Sequence, residues 1–151
     1  MCGIVAYIGK KEALPILLNG LRRLEYRGYD SAGVALQSEG KIKRVRAVGK
    51  IDQLTEKIRC NPQTCATVGF AHTRWATHGG VTEENAHPHA GATDDLMIAH
   101  NGIIENYREL KEKFLKGHDL KSQTDTEILA HLIENFYEGD LLKAVQKALA
   151  E

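Results

Sequence analysis

The chain has 151 residues, of which 42% are hydrophobic and 26% are charged, and this profile is typical of one globular domain rather than of a disordered segment. The 20 Lys and Arg residues balance the 20 Asp and Glu residues, so no net positive charge favours binding to nucleic acid or to an anionic membrane surface. No stretch approaches the roughly 20 apolar residues of a membrane-spanning helix, and the N-terminus lacks the pattern of a signal peptide. The three cysteines, Cys2, Cys60 and Cys65, have no CxxC spacing, which indicates a reducing, cytoplasmic environment rather than a disulfide framework or a thiolate zinc site.

The first half of the chain predicts strands and helices in alternation. Short runs that contain Ile4 and Val5 indicate a buried strand, and leucines at helical spacing indicate a helix that tolerates Pro15 in its first turn. The predicted elements are a buried strand over 2–9, a helix over 11–25, two strands over 32–37 and 41–48, and a short helix over 52–59 capped by Asp52.

The second half predicts two further buried strands, over 66–72 and 95–100, separated by a polar, glycine-rich loop over 73–94. A loop of that length in a compact domain is usually functional. Helices follow in the last third of the chain. One is predicted over 103–115, the next begins behind a capping box from Thr124 to Glu127, and the last covers 141–149 after its cap Asp140. Strands early and helices late indicate an α+β fold with helices packed on sheet.

The remaining charged and titratable clusters give weak signals. Two basic clusters, Arg22, Arg23 and Arg27 in one and Lys41, Lys43, Arg44 and Arg46 in the other, are interpreted as solvated faces. His87 and His89 lack the spacing of a known metal-ligand motif, so no metal site is predicted. Neither a P-loop nor a GxGxxG sequence is present, and no cofactor is predicted.

Cys2 is the first candidate for chemistry. It could be a small hydrophobic residue of a buried strand. If Met1 is removed, however, Cys2 carries a free α-amino group whose reference pKa of about 7.7–8.0 suits a general base. One residue would then supply a thiol nucleophile and its base, and Gly3 would let a substrate approach the backbone.

Acyl transfer also needs an oxyanion hole, and His100-Asn101-Gly102 is a candidate. Asn101 offers a side-chain amide donor and Gly102 an unobstructed backbone N–H. The alternative is an Asn-Gly hairpin turn, although the residues that follow have helical rather than strand character.

Three further residues have two interpretations each. Arg74 could bind a carboxylate through a two-bond fork or form a salt bridge. Trp75, the single tryptophan, could cover a ligand or pack in the core. Asp125 could bind an ammonium group or stabilise a helix start through the helix dipole.

Together these segments resemble the glutaminase domain of the glutamine–fructose-6-phosphate aminotransferases over essentially the whole chain. The matching motifs are CGIV at Cys2, LRRLEYRGYDSAG from Leu21, GFAHTRWATHG from Gly69, NAHPH from Asn85, HNGIIEN from His100 and TDTE from Thr124. Several long motifs in the same order are more specific than any one of them. Amidophosphoribosyltransferase, asparagine synthetase and glutamate synthase share the cysteine-first plan, and a glutaminase of the amidophosphoribosyltransferase type is the second interpretation.

The resemblance implies an N-terminal-nucleophile αββα sandwich that hydrolyses L-glutamine to glutamate and ammonia. It implies that Cys2 attacks the amide carbon and that Asn101 and Gly102 form the oxyanion hole. It further implies that Arg74 binds the glutamine α-carboxylate and that Asp125 binds the α-ammonium group. Substrate-binding roles are also implied for Trp75, Thr77 and His78, and a supporting role for Arg27; Cys60 and Cys65 match nothing functional.

The same resemblance implies that the chain is one part of a longer protein. Members of the family have a longer glutaminase domain, followed by a sugar-phosphate isomerase half that binds fructose 6-phosphate, and the full-length protein is expected to be a homo-oligomer. The sandwich is therefore expected to be incomplete at its C-terminal end. A third possibility is an inactive fragment that acts only as a folding or association unit, because an exposed sheet edge promotes pairing.

Overall fold

The computed structural model describes residues 1–60, 65–77 and 79–151. A four-stranded antiparallel sheet has the order β1-β4-β2-β3, and a second sheet pairs β5 with β6. The strands are β1 (Gly3–Ile8), β2 (Ser31–Ser38), β3 (Lys41–Val48), β4 (Val68–Arg74), β5 (His89–Ala90) and β6 (Met97–Ile98). The α-helices are α1 (Ala13–Arg23), α2 (Ile51–Cys60), α3 (Tyr107–Phe114), α4 (Asp125–Asn135) and α5 (Leu141–Leu149), with a 3₁₀ turn over Glu25–Arg27.

One face of the large sheet packs against α1 and α2. The predicted helical periodicity places Leu17 and Leu21 on the buried side of α1, and Leu54 of α2 joins the same core. Val34 and Ala71 supply the sheet side of this core. Pro15 lies in the first turn of α1, where its missing N–H removes no helical hydrogen bond.

The opposite face of the large sheet carries the segment 84–90. A Cβ atom at Gly33 would collide with the carbonyl oxygen of His87, so only glycine permits this close approach. Arg46 of β3 donates to the carbonyl oxygens of Glu84 and Ala86, at 2.9 and 3.1 Å. The interpretation of the basic run as a solvated face is therefore wrong for Arg46, whose burial lowers its pKa to about 10.

A second core lies among α3, α4 and α5. Leu110, Ile128 and Leu132 are buried there, with Ile98 of β6 packed against them. Thr124 caps α4 by accepting a hydrogen bond from the backbone N–H of Glu127, as predicted. The reciprocal half of the capping box does not form, because the Glu127 carboxylate instead accepts from the backbone N–H groups of 121 and 122.

Three sequence predictions fail at strands and caps. β1 is an edge strand rather than a fully buried one, and Ile8 on its outward side is 80% exposed. The predicted strand over 95–100 is reduced to Met97–Ile98, since it pairs only with the two residues of β5. Asp52 lies in the first turn of α2, which begins at Ile51, so it is not the residue before the helix.

The helix predicted over 103–115 begins only at Tyr107. Ile103 instead lines a cavity, and the backbone N–H of Ile104 donates to Asp125. The final helix begins after Asp140, which caps it as predicted by accepting from the N–H of Lys143. Among the described residues, no helix is both long enough and apolar enough to cross a membrane.

Candidate active site

A cavity of about 400 Å³ opens where the start of β1, the end of β4, the segment 100–103 and the start of α4 meet. Eight of the residues singled out from the sequence line it: Cys2, Arg27, Arg74, Trp75, Thr77, Asn101, Gly102 and Asp125. His78, the ninth, lies outside the described residues. Residues far apart in the chain therefore surround one space.

The pairing of β1 with β4 determines the position of Cys2. Gly3 is paired with Thr73, so the residue before Gly3 lies beside the end of β4. The backbone N–H of Trp75 donates to Cys2 Sγ at 3.3 Å. Cys2 is thus partly exposed at the cavity wall, with a donor directed at its sulfur, and is not a core residue of a buried strand.

Met1 lies in the same cavity. Its terminal amine donates to the carbonyl oxygens of Arg27 and Gly28, at 3.0 and 2.9 Å. The Arg27 guanidinium lies 3.6 Å from Met1 Sδ. While Met1 remains, the nitrogen of Cys2 is an amide nitrogen and cannot act as a base.

Arg74 ends β4 and is 3% exposed. Its guanidinium donates to the carbonyl oxygen of Gly80 at 3.2 Å, and the side chain also lines the cavity. Trp75 follows it and is 54% exposed, so core packing does not account for this tryptophan. The Trp75 side chain and Thr77 form part of the cavity rim.

The segment around Asn101 is not a hairpin, because no strand follows it before α3. Gly102 has φ +152°, a conformation that side chains disfavour. Asn101 Oδ1 lies 2.8 Å from His72 Nε2, which directs the amide nitrogen of Asn101 away from His72. Both candidate oxyanion donors therefore belong to the cavity wall.

Asp125 is the first residue of α4 and is 5% exposed. Its Oδ2 accepts a hydrogen bond of 2.8 Å from the backbone N–H of Ile104, which ties α4 to the Asn101 segment. The carboxylate also lies at the positive end of the helix dipole. The two interpretations of Asp125 are therefore compatible, since one residue begins the helix and lines the cavity.

Sequence reasoning assigned no role to three buried histidines beside the cavity, His72, His87 and His89, of which His87 lines it. The rings of His72 and His87 stack with centroids 4.2 Å apart, and His89 meets His87 edge to face at 4.6 Å. Burial lowers the pKa of His72 to about 4 and the pKa of His89 to about 3, and it also lowers the pKa of His87. Neighbouring arginines, including Arg74, act in the same direction, so these imidazoles are neutral near pH 7.

Asp30 was also missed. Its Oδ2 accepts from the backbone N–H of Ala76 at 2.5 Å, and its Oδ1 accepts from the hydroxyl of Ser31 at 2.9 Å. It therefore fixes the backbone that follows Trp75. The available signal was its position directly before a buried strand, which alone does not distinguish a functional carboxylate from a turn residue.

Comparison with known proteins agrees with this arrangement. A family model described as "Glutamine amidotransferase domain" matches residues 60–146. The glutamine–fructose-6-phosphate aminotransferases [isomerizing] of Thermus thermophilus and Aquifex aeolicus are 53% and 54% identical over 150 residues. These matches cover 99% of this chain and 25% of each relative, so the chain spans about a quarter of the length of the curated relatives it matches.

Two solved structures share the fold over 99% of the chain. One is a glutamine phosphoribosylpyrophosphate amidotransferase from B. subtilis complexed with ADP and GMP, with a TM-score of 0.80, 27% identity and 32% of that chain covered. The other is described as the allosteric regulatory enzyme of purine biosynthesis, with a TM-score of 0.82, 28% identity and 33% covered. The N-terminal-nucleophile αββα fold expected from the resemblance is confirmed, and the chain belongs to the family of glutamine amidotransferase domains.

Proposed function

We propose that the chain hydrolyses the side-chain amide of L-glutamine, with Cys2 as the nucleophile, and releases glutamate and ammonia. The observation that carries the proposal is the single cavity that brings Cys2 together with Asn101, Gly102, Arg74 and Asp125. Hydrolysis of the side-chain amide of an amino acid requires a nucleophile and donors for the oxyanion. Binding of the amino acid requires one positive and one negative group.

The charged residues orient the substrate. The Arg74 guanidinium binds the α-carboxylate of glutamine. The Asp125 carboxylate accepts from the α-ammonium group through lone pairs that its contacts with the N–H of Ile104 and the hydroxyl of Thr126 leave open. Trp75 covers the bound substrate, and Thr77 lines its pocket. His78, which lies outside the described residues, has the substrate-binding role that the resemblance implies. Arg27, which also lines the cavity, has a supporting role beside the nucleophile.

The first chemical step forms a thioester. The free α-amine of Cys2 takes the thiol proton, the sulfur attacks the amide carbon, and the oxyanion accepts from Asn101 and from the N–H of Gly102. The protonated amine then gives its proton to the leaving nitrogen, and ammonia departs. In the second step water attacks the thioester, glutamate leaves, and the thiol of Cys2 is restored.

This mechanism requires removal of Met1, which frees both the amine of Cys2 and the space that Met1 takes in the cavity. The test compares the chain with a variant that has one alanine inserted between Met1 and Cys2, with both N-termini verified by intact mass. We expect glutamate release only from the chain that begins at Cys2. Equal rates from the two proteins would exclude the α-amine as the base.

The names of the relatives support a proposal about the wider reaction. We propose that in a longer protein the ammonia aminates fructose 6-phosphate to glucosamine 6-phosphate, because the relatives named for that substrate are 53% and 54% identical to the chain. The phosphoribosylpyrophosphate amidotransferase is 27% identical, so this alternative has less support. The exposed free thiols of Cys60 and Cys65 are compatible with the cytoplasm.

A further inference from the structure

The imidazole of His72 is completely buried at the centre of the large sheet, on the face opposite α1. Its pairing partners are Ile4 on one side and Gly33 on the other, and the ring of His87 stacks upon it. A phenylalanine or leucine would fill such a place at a lower desolvation cost. The imidazole therefore requires an explanation beyond packing.

The hydrogen bonds of His72 supply one. Within the described residues its Nε2 contacts Asn101 Oδ1 at 2.8 Å, whereas its Nδ1 is buried without a partner. A carbonyl oxygen is only an acceptor, so Nε2 must carry the hydrogen. A neutral imidazole has one N–H, so a hydrogen on Nε2 leaves Nδ1 as a bare lone pair, in agreement with the lack of an acceptor beside Nδ1.

This contact determines which way the Asn101 amide points. With the oxygen held by His72, the two N–H bonds of Asn101 face away from the buried histidine. Asn101 itself lines the cavity that contains Cys2, and we infer that these N–H bonds are directed into it. Rotation of the amide by 180° would place its N–H₂ group against an N–H donor and leave an acceptor where the oxyanion forms. The rotated state would have no oxyanion donor from this side chain.

We propose that His72 is a positioning residue that fixes the donor orientation of Asn101 and so completes the oxyanion hole. The inference rests on the proposed function, since an oxyanion hole has meaning only if acyl transfer occurs. His87 supports the same segment, because its Nδ1 accepts from the backbone N–H of His100 at 3.5 Å. Side chain and backbone of this segment are thus held by two different histidines.

The first test needs no activity. Long-range ¹H–¹⁵N correlation spectra of the chain, labelled with ¹⁵N in histidine, report which ring nitrogen of His72 is protonated; the His72→Gln variant assigns its signals. We expect hydrogen on Nε2 and a bare Nδ1 throughout pH 6 to 8, because the pKa of about 4 keeps the ring neutral. Hydrogen on Nδ1 would overturn the inference, whatever the outcome of the glutaminase assay.

The second test is a double-mutant cycle with Asn101→Ala. His72→Phe removes the N–H and should lower kcat about 10- to 100-fold, with little change in KM for glutamine. This is less than the roughly 100- to 1000-fold loss that removal of an oxyanion donor causes, because the Asn101 amide is still present but no longer held in one orientation. His72→Gln retains an N–H donor and should recover most of the rate. In the Asn101→Ala background, either His72 change should alter kcat by less than about twofold.

The outcomes separate the two proposals. If the wild-type chain releases no glutamate, the proposed function is contradicted. The tautomer measurement then still tests the orientation of Asn101. If the wild type is active and the fold-changes in kcat caused by the His72 and Asn101 substitutions multiply independently, the proposed role of His72 is contradicted. If His72→Phe fails to fold, the tautomer measurement on the wild-type chain still decides.

Discussion

Two charged residues, Asp125 and Arg74, both line the cavity and hold the backbone of a neighbouring segment. Asp125 faces the cavity and also holds the N–H of Ile104, and Arg74 faces the cavity and also holds the carbonyl oxygen of Gly80. A substitution at either position therefore changes substrate binding and the shape of the wall together. Variants that change the substrate-binding atoms but preserve the backbone contact are the informative ones.

Arg74→Lys is the first such variant. Lysine retains the charge and one donor for Gly80, but it cannot form a planar two-bond fork with a carboxylate. We expect KM for glutamine to rise about 10- to 150-fold, the equivalent of roughly 1.5–3 kcal/mol for one hydrogen bond to a charged group, with a smaller change in kcat. Steady-state kinetics measure this.

Arg46→Lys is the matched control, because Arg46 donates to the backbone carbonyl oxygens of Glu84 and Ala86 and does not line the cavity. Its KM should remain at the wild-type value. A KM within about twofold of wild type for Arg74→Lys would assign Arg74 to the backbone alone.

Asp125→Asn removes the charge that faces the α-ammonium group, while its amide oxygen can still accept from Ile104. With Cys2→Ala in both proteins, so that glutamine is bound but not hydrolysed, we expect weaker glutamine binding by calorimetry, at a cost of about 1.5–3 kcal/mol, and an unchanged fold by circular dichroism. Asp140→Asn, at the start of α5 and outside the cavity, is the control and should bind glutamine normally. Normal binding by Asp125→Asn would leave the residue with its helix role only.

At the scale of the elements, the sequence is informative where the signal is local. The caps at Thr124 and Asp140 and the periodic leucines of α1 predict those helices well, because a cap or an apolar stripe is contained within one element. The strand over 95–100 and the exposure of β1 are predicted wrongly, because strand length and burial depend on neighbours that are distant in sequence. The interpretation of Arg46 as part of a solvated face is wrong for the same reason.

The cap of α4 gives a prediction at this scale. Thr124 Oγ1 contacts both the N–H of Glu127 and His89 Nε2, at 3.4 and 3.0 Å, so Thr124→Ala removes a cap and a buried partner. We expect a loss of about 2 kcal/mol in the free energy of unfolding, measured with urea. Thr124→Ser should recover most of it.

Asp140→Ala is the comparison, since it removes an exposed cap from α5 and leaves no buried group without a partner. It should cost about 1 kcal/mol or less. Equal losses at the two caps would show that the contact between Thr124 and His89 contributes nothing.

At the scale of the whole molecule, the cavity collects residues from the first to the 126th position of the chain. The motifs identified most of its side chains, because each motif carries recognisable chemistry. Their mutual contacts, above all those of His72 and Asp30, could not be predicted, since a histidine inside a strand is compatible with plain packing. The pairing of β4 between β1 and β2 is what brings these contacts about.

The buried histidines also predict how stability depends on pH. In the folded chain the pKa of His72 is about 4 and the pKa of His89 is about 3, against about 6.5 in the unfolded chain. The unfolded chain therefore binds these protons first, so their contribution is complete above about pH 6.5 and is lost as the pH falls toward 4. Each of these two histidines adds up to about 1.4 kcal/mol per pH unit to the slope of the free energy of unfolding against pH.

Urea unfolding between pH 5 and 7 measures this slope, and His89→Gln is the comparison. Glutamine can retain the contact with Thr124 but does not titrate. The slope of the free energy of unfolding against pH should therefore decrease by the contribution of one histidine, up to about 1.4 kcal/mol per pH unit. An unchanged slope in His89→Gln would mean that His89 binds its proton over the same pH range in the folded and the unfolded chain.

The proposed mechanism depends most on Cys2 as the nucleophile, and the initial rate of glutamate release from L-glutamine tests this most directly. The measurement compares Cys2→Ala with the wild-type chain, shown by mass to begin at Cys2, and with Cys60→Ala, which removes an exposed cysteine outside the cavity. The mechanism predicts release by wild type and by Cys60→Ala at the same rate, and no release by Cys2→Ala. Release by Cys2→Ala at the wild-type rate, or no release by the processed wild-type chain, would contradict it.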